Sequence, residues 1–546
     1  MKRYVTLIVL FASFATAYTI HVPSDYSLIH YAIGAAQDGD TVLVAPGSYV
    51  GGFSFQGKNI VIRSSAGAGS TFLKSPFDDY HCVMMVDGED STAVLEGFSI
   101  TNIEFEDGPS DGRDPPDHGG GLYIIDSSPT ITDCIITNCA SFGNGAGVYI
   151  ENSSALIENC TITDNIAYSD GSGGGICATG TPIGSSPCRI IDCVISDNTS
   201  GTSGGLSITH QNIEIINNSI IENIGGTGSG AGGIGVNSPC ALIYSNYIYR
   251  NDGALGGGIS ISGGSPTIIG NMIVENSAGH GGGIYEASSS NVQIENNTIA
   301  HNSASPTGGW GGGLVSAKDS ICIRNCIFWG NTGYNGSQIG LPAAINGSST
   351  YIEFCDIQFG QDSIQADPQA ELYWGPGNID ADPLFESGPI CDYHLSMSSP
   401  CIDAGNPSVE YNDPEDPFNP GYALWPAMGY LRNDMGAFGG GGVGYWLSAE
   451  EEQEEEPLFQ GTFSLGSFPN PFTSSCTVCF RLDEPSHVDL SVFDLSGRLV
   501  DVVSDEYIPA GMHSRHLDGS GLASGVYLIR ISAGGVSETR RCVVVR

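Results

Sequence analysis

Leu156-Ile157-Glu158-Asn159-Cys160-Thr161-Ile162-Thr163-Asp164-Asn165 is one copy of a pattern that runs through the middle of the chain. Aligned on Cys160, the equivalent positions are Cys134, Cys160, Cys193, Asn218, Asn246, Asn271, Asn297, Cys326 and Cys355, spaced 25 to 33 residues apart and always Cys or Asn. Three residues earlier stand Ile131, Ile157, Ile190, Ile215, Ile243, Ile268, Ile294, Ile323 and Ile352. Two residues later stand Ile136, Ile162, Ile195, Ile220, Ile248, Ile273, Ile299, Phe328 and Ile357. Five residues later come Cys139, Asn165, Asn198, Asn223, Asn251, Asn276, Asn302, Asn331 and Gly360. A second short strand in each repeat opens on glycines, as in Gly119-Gly120-Gly121-Leu122, Gly145-Ala146-Gly147-Val148 and Gly281-Gly282-Gly283-Ile284.

Apolar residues alternate over short β-branched runs, and Gly clusters interrupt any helix, so an α-helical solenoid is excluded. Repeats of this length that stack in parallel about 4.8 Å apart place like on like. The Ile columns then point inward, and the Asn columns form ladders that satisfy turn backbone from coil to coil. Glycine fits corners where no Cβ has room.

Working outward, residues 18–92 read as a cap with the first coils. Tyr26 to Ala36 has helical apolar spacing at Ile29, Ala32, Ile33 and Ala36, and an amphipathic helix laid across a solenoid end covers core that would otherwise face water. Before it, Lys2 and Arg3, the apolar run Tyr4 to Phe14, and Ala15-Thr16-Ala17 read as a signal peptide over residues 1–17. No later segment is apolar over the roughly 18 residues a spanning helix requires. The repeats occupy 93–360, and 361–447 closes the solenoid. Residues 448–460 hold a run of six Glu and read as an extended acidic linker. Beyond it, in 461–546, short alternating strands (Cys476 to Leu482, Val488 to Phe493, Gly525 to Ile531, Cys542 to Val545) predict a small β-sandwich.

The chain has 546 residues with 18 basic and 60 acidic side chains, a formal net charge of -42. Such a field repels nucleic acid and anionic headgroups and suits an exported protein, or one that gathers divalent cations. The 16 Cys are even in number, but Cys134, Cys160 and Cys193 fall in an inward column, so buried thiols are expected there. Cys391 with Cys401, or Cys177 with Cys188, are alternatives for loop closure. Cys476 and Cys479 lie on a strand, where residues three apart face opposite sides, so no zinc pair is expected.

The repeat, the opening Gly39 to Tyr49, and the closing stretches Asp380 to Phe385, Asp392 to Leu395, Ser399 to Gly405 and Arg432 to Phe438 resemble the right-handed parallel β-helix proteins of the pectin-lyase-like superfamily. The likeness spans roughly 18–445. At the C-terminus, Phe468-Pro469-Asn470-Pro471-Phe472, Val492 to Arg498, Leu522 to Tyr527 and Arg540-Arg541 resemble the sorting domain of type IX secretion substrates. The two resemblances imply an all-β chain, a right-handed β-helix followed by an Ig-like sandwich. They imply passage through the type IX machinery and retention at the outer surface of a bacterium.

Chemistry is less legible. A polysaccharide lyase of that superfamily needs a base beside a carboxylate, often with Ca²⁺. Arg250, Lys318 and Arg324 are the cations available, and Arg250 stands in a column with Asp164, Asp197, Glu222, Glu275 and His301. Glu222, Arg250, Glu275 and His301 are therefore the catalytic candidates, although an acidic edge with an ion pair explains the same residues. Gly279-His280-Gly281 lacks the Asp pair that a polygalacturonase-like site requires. Asp107, Asp111, Asp114 and Asp117, in the acidic loop Glu104 to His118, are candidate Ca²⁺ ligands. Tyr123 and Tyr149 on adjacent coils, and Tyr247 and Tyr249 within one strand, are candidate platforms for sugar rings. A non-catalytic glycan-binding or adhesive rod, acting as a monomer, is the favoured reading; a lyase or hydrolase acting on an acidic polysaccharide is the alternative.

Overall fold

In a computed structural model, the structure describes residues 17–440 except 76–80, 103–116, 185, 227, 229, 289–291, 318–320, 343–348, 387–392, 417–418 and 425, and in the C-terminal region 465–468, 475–482, 485–494, 498–508, 511–522, 525–533 and 536–544. The signal peptide, Lys318, Cys391 and the acidic linker expected from the sequence lie outside the described residues.

Three long parallel sheets form the walls of a right-handed solenoid. Sheet one has 14 strands, from Thr19–Val22 to Glu371–Trp374; sheet two has 12, from Gly47–Val50 to Asp356–Ile357; sheet three has 12, from Phe53–Ser54 to Ile364–Ala366. One coil runs Leu122–Ile125 in sheet three, Thr130–Thr132 in sheet one, Ile135–Thr137 in sheet two, then the short strand Ala140–Ser141. Coils stack in register, with Ile131 on Ile157, Ile157 on Ile190, and Ile136 on Ile162. The Ile columns are buried in one continuous core.

Two corners of each coil are turned by a single left-handed residue. Between sheets one and two it is Asp133, Asn159, Asp192, Asn217, Ser245, Gly270, Asn296, Asn325 and Phe354; between sheet two and the next strand it is Asn138, Asp164, Asp197, Glu222, Arg250, Glu275, His301, Gly330 and Phe359. Asn and Asp tolerate that conformation best, which accounts for their frequency. The residue after each corner turns inward and carries a ladder. Asn223 Nδ2 donates to Asn251 Oδ1 at 2.9 Å and to Ile195 O at 2.8 Å, while Asn223 Oδ1 accepts from the Asn198 amide at 3.1 Å. The first ladder runs unbroken from Asn165 to Asn331 and finishes on Gln338. The second mixes Asn with Cys: the Cys193 amide donates to Asn218 Oδ1 at 2.9 Å, and Cys193 Sγ donates to Ile191 O at 3.1 Å. Asn and Cys share the column because each puts a donor against a buried carbonyl.

The sheet-three glycines are required at the third corner. Gly145 has φ +61, and a Cβ on Gly147 would come within 2.6 Å of Gly175 O. At the N-terminal end, the helix Ile29–Ala35 lays Ile29, Ala32 and Ile33 over the core. Lys58 Nζ donates to Ile33 O, Gly34 O and Ala36 O at 2.6–3.0 Å, placing a cation where the helix carbonyls end.

The closing stretches do not extend the coils. From Tyr393 to Gly440 the chain folds back as a strap on the outer face of sheet two, burying Tyr393, Ala437 and Phe438 against Ile221, Met272, Val274 and Ala300, and Leu395, Cys401 and Met435 against Ile327. Asn296 Nδ2 donates to Asn433 Oδ1 at 3.1 Å and Asp434 O at 2.9 Å, and the Gly436 amide donates to Asn325 O at 2.7 Å. The C-terminal strands form two antiparallel sheets, one of Leu465–Phe468, Ser475–Leu482 and Gly511–Asp518, the other of Leu499–Ile508, Ser486–Asp494, Gly525–Ala533 and Val536–Val544. Between them lies a core of Val478, Val488, Leu490, Val492, Leu517, Ile529 and Ile531.

Candidate functional site

The acidic column predicted from sequence is the second left-handed corner. Each side chain there leaves the wall just before an inward Asn, so the column is outward and regular by construction. Arg250 Nε donates to Glu275 Oε2 at 2.9 Å, Arg250 Nη1 lies 3.9 Å from Glu222 Oε1, and the guanidinium rests 4.7 Å from the centre of the Tyr249 ring. Glu222, Arg250 and Glu275 are thus brought together. His301, on the next coil, instead has its ring centre 6.0 Å from that of Tyr393 in the strap. Partial burial pushes the Arg250 guanidinium down, but the bond to Glu275 and the charges of Tyr249, Glu275 and Glu222 outweigh it, and the net shift is upward. Burial, then the charges of Asp164 and Glu222, raise Asp197.

Tyr123 and Tyr149 stack on the outer face of sheet three, ring centres 5.7 Å apart and planes 17° apart. His81 covers Tyr123 at 4.1 Å and His118 covers Tyr149 at 4.7 Å. The ring faces are turned toward one another, and Tyr149 is buried. The expectation for Tyr247 and Tyr249 requires correction. Both are buried under the strap with Tyr393, Ala437 and Phe438 and present no face to a sugar. The signal was in one outward column of sheet two, which turns from Thr137, Thr163 and Ser196 to Ile221, Tyr249, Val274 and Ala300. An outward stripe that becomes apolar needs a cover.

Of the acidic loop, Asp107, Asp111 and Asp114 lie outside the described residues, and the Asp117 carbonyl accepts from the Gly143 amide at 2.6 Å. Among the described residues no cluster of three or more His, Cys, Asp or Glu is placed to hold a metal. Cys134, Cys160 and Cys193 are buried thiols, as expected. Cys177 and Cys188 are also buried thiols, Cys177 beside Tyr149 on the outer face of sheet three and Cys188 in the core of sheet one, so they do not close the loop between them.

Sequence reasoning missed the outer face of sheet one at its last coils. There Glu295, Arg324 and Glu353 fall in register one residue after the Ile column. Arg324 Nη1 is 3.5 Å from Glu295 Oε1, and Arg324 Nε bonds Glu353 Oε1 at 2.5 Å. Burial lowers Arg324, but Glu353 more than restores it and the net shift is upward, while burial raises Glu295. In the neighbouring column Tyr351 and Tyr373 stack at 4.6 Å with planes 6° apart, each 46% exposed. Tyr373 Oη donates to Glu371 Oε2 at 3.0 Å, and Ser349 Oγ donates to the same oxygen at 3.1 Å. Tyr373 stands in the last strand of sheet one, so its ring face away from Tyr351 meets no further strand of that sheet. A shallow groove of about 440 Å³ lies elsewhere, over the small strands of Asp252–Leu255, Ser277–His280 and Ser303–Ala304, with a floor of Gly253, Ala278, Gly279 and Ala304.

Where the strap meets the solenoid, Asp356 of sheet two and Asp413 and Asp434 of the strap are buried. Burial lifts Asp356 to about 7, against the opposing pull of the Ala381 amide and the Cys401 thiol. Burial, and for Asp413 the neighbouring Asp434, hold both of that pair above the usual carboxylate range. They orient the strap: Asp434 accepts from the amides of Asp403 and Met428, each at 2.7 Å.

Residues 81–184 and 183–357 match the family model described as a right handed beta helix region, and residues 467–545 match that described as a secretion system C-terminal sorting domain. No curated protein and no solved structure matches the chain.

Proposed function

We propose, for a chain that belongs to the right-handed β-helix family and ends in a type IX secretion sorting domain, that the solenoid is a non-catalytic, glycan-binding rod displayed at the cell surface. The sorting domain marks a secreted bacterial protein and implies the type IX machinery as its partner. The observation that carries the binding reading is the half-exposed, stacked Tyr351–Tyr373 pair, whose terminal ring offers a flat apolar face bordered by hydroxyl and carboxylate groups. Sugar rings stack on such faces while their hydroxyls bond to the rim.

The reading of the chain as a lyase or hydrolase draws less support from the same geometry. A lyase base must give up its proton, yet Arg250 and Arg324 each stand between two carboxylates that hold the guanidinium charged. The test is a panel of oligosaccharides and insoluble polysaccharides, with and without Ca²⁺, monitored for retention and for new reducing or unsaturated ends. Retention without new ends, weakened by Tyr373→Ala, is expected. Turnover abolished by Arg250→Ala or Arg324→Ala would overturn the non-catalytic reading.

A further inference from the structure

Resting on that reading, we infer that the Tyr351–Tyr373 face selects an amine-bearing glycan, a polymer of hexosamine with protonated amino groups, over acidic and N-acylated ones. The charges around the ring pair decide the class. Glu371 accepts from Tyr373 Oη and Ser349 Oγ and so is fixed at the rim of the exposed ring. Glu353 and Glu295 lie on the same face with Arg324 as their shared counter-ion, leaving three carboxylates to one guanidinium. The chain as a whole carries -42, so its overall field has the same sign as that local excess. A uronate would be repelled. A protonated amine meets two attractions at one place: a carboxylate held in position, and a tyrosine face whose quadrupole favours a cation. Glu371 is in register with Ser349 and Tyr373 with Tyr351, so Glu371 and Glu353 flank the ring column on its two sides.

The experiment compares one backbone with and without its charge. The mature full chain is titrated calorimetrically with glucosamine hexamer, N-acetylglucosamine hexamer and galacturonate hexamer at low and physiological salt. The hexamer with free amines is expected to bind about tenfold or more tightly than its N-acetylated form, and to weaken as salt rises. Because an acidic protein attracts any polycation, location is read separately. Tyr373→Ala leaves the charge unchanged and should cost about tenfold in affinity for the amine hexamer, with the melting temperature unaltered because the ring is half exposed. Glu371→Gln should narrow the gap between amine and N-acetyl forms. Equal binding of the two forms, or tighter binding of galacturonate, overturns the charge selection while leaving the glycan reading intact. Amine binding that ignores Tyr373→Ala shows diffuse attraction and overturns the site. Binding to none of the three, and to no member of the wider panel, removes the glycan reading itself.

Discussion

At the scale of the residue, the ladder asparagines carry more than their number suggests. Asn251 Oδ1 accepts from both the amide and the side chain of Asn223, and its Nδ2 donates to Ile220 O and to Asn276. Removing that one side chain takes a hydrogen bond from each of four buried groups, the Asn223 amide and Nδ2, Ile220 O and Asn276 Oδ1. Asn251→Ala is expected to destabilise the β-helix by about 3 kcal/mol or more, measured as a lowered urea midpoint. Asn251→Cys should recover part of the loss, since Cys139 occupies the same column and its Sγ donates to Ile100 O, the equivalent carbonyl of the preceding coil. Asp356 gives a pH dependence of defined sign. Its folded value of about 7 lies above the ordinary carboxylate value, so the folded state keeps a proton that the unfolded chain has released. Stability is greatest in acid and falls as pH rises from about 4 through 7, by at most about 4 kcal/mol from this group. The Asp413–Asp434 pair acts in the same direction, and Asp356→Asn should reduce, without abolishing, the drop in melting temperature between pH 5 and 8.

At the scale of the element, the difference between coil and strap explains what was legible in the sequence. A coil repeats its pattern every 25 to 33 residues, so the Ile131–Ile352 column can be counted along the chain from spacing alone. The strap rests on pairs such as Asn296 with Asn433, 137 residues apart, and no local period announces them. Its motifs are visible as strings, Asp392 to Leu395 and Arg432 to Phe438, but not as a cover for Tyr247 and Tyr249. The Glu295–Arg324–Glu353 column is as countable as the corner column containing Arg250, yet nothing in its spacing says that it stays uncovered beside two stacked rings. Phe438, stacked on His394 at 4.0 Å and packed over sheet two, is the anchor to test. Phe438→Ala should cost about 3–5 kcal/mol of strap attachment. Limited proteolysis would show it as faster cleavage between Gly405 and Gly440 with the coils still resistant. Gly436→Val should act alike, since φ is +95 and a Cβ would lie 2.7 Å from Ile327 Cδ1.

At the scale of the whole molecule, the sandwich and the solenoid have separate cores, and a sorting function separate from the rod follows from the family match at 467–545. Deleting residues 461–546 should leave a folded β-helix stranded in the periplasm, detected by cell fractionation; unchanged surface display would refute the assignment of export to this domain. The fold was legible because a solenoid writes its core as columns, whereas binding chemistry depends on which outward columns stay uncovered. The strap has a mechanical consequence as well. Backbone bonds between coils lie along the rod axis, so tension on the rod peels coils from an end, each rupture loading the next. Contacts of one returning segment with coils from Ile221 to Asp356 lash those coils together crosswise. The strap lies between the C-terminal strands and the coils along the chain, so a pull from the C-terminal side loads the lashing before it loads the stack.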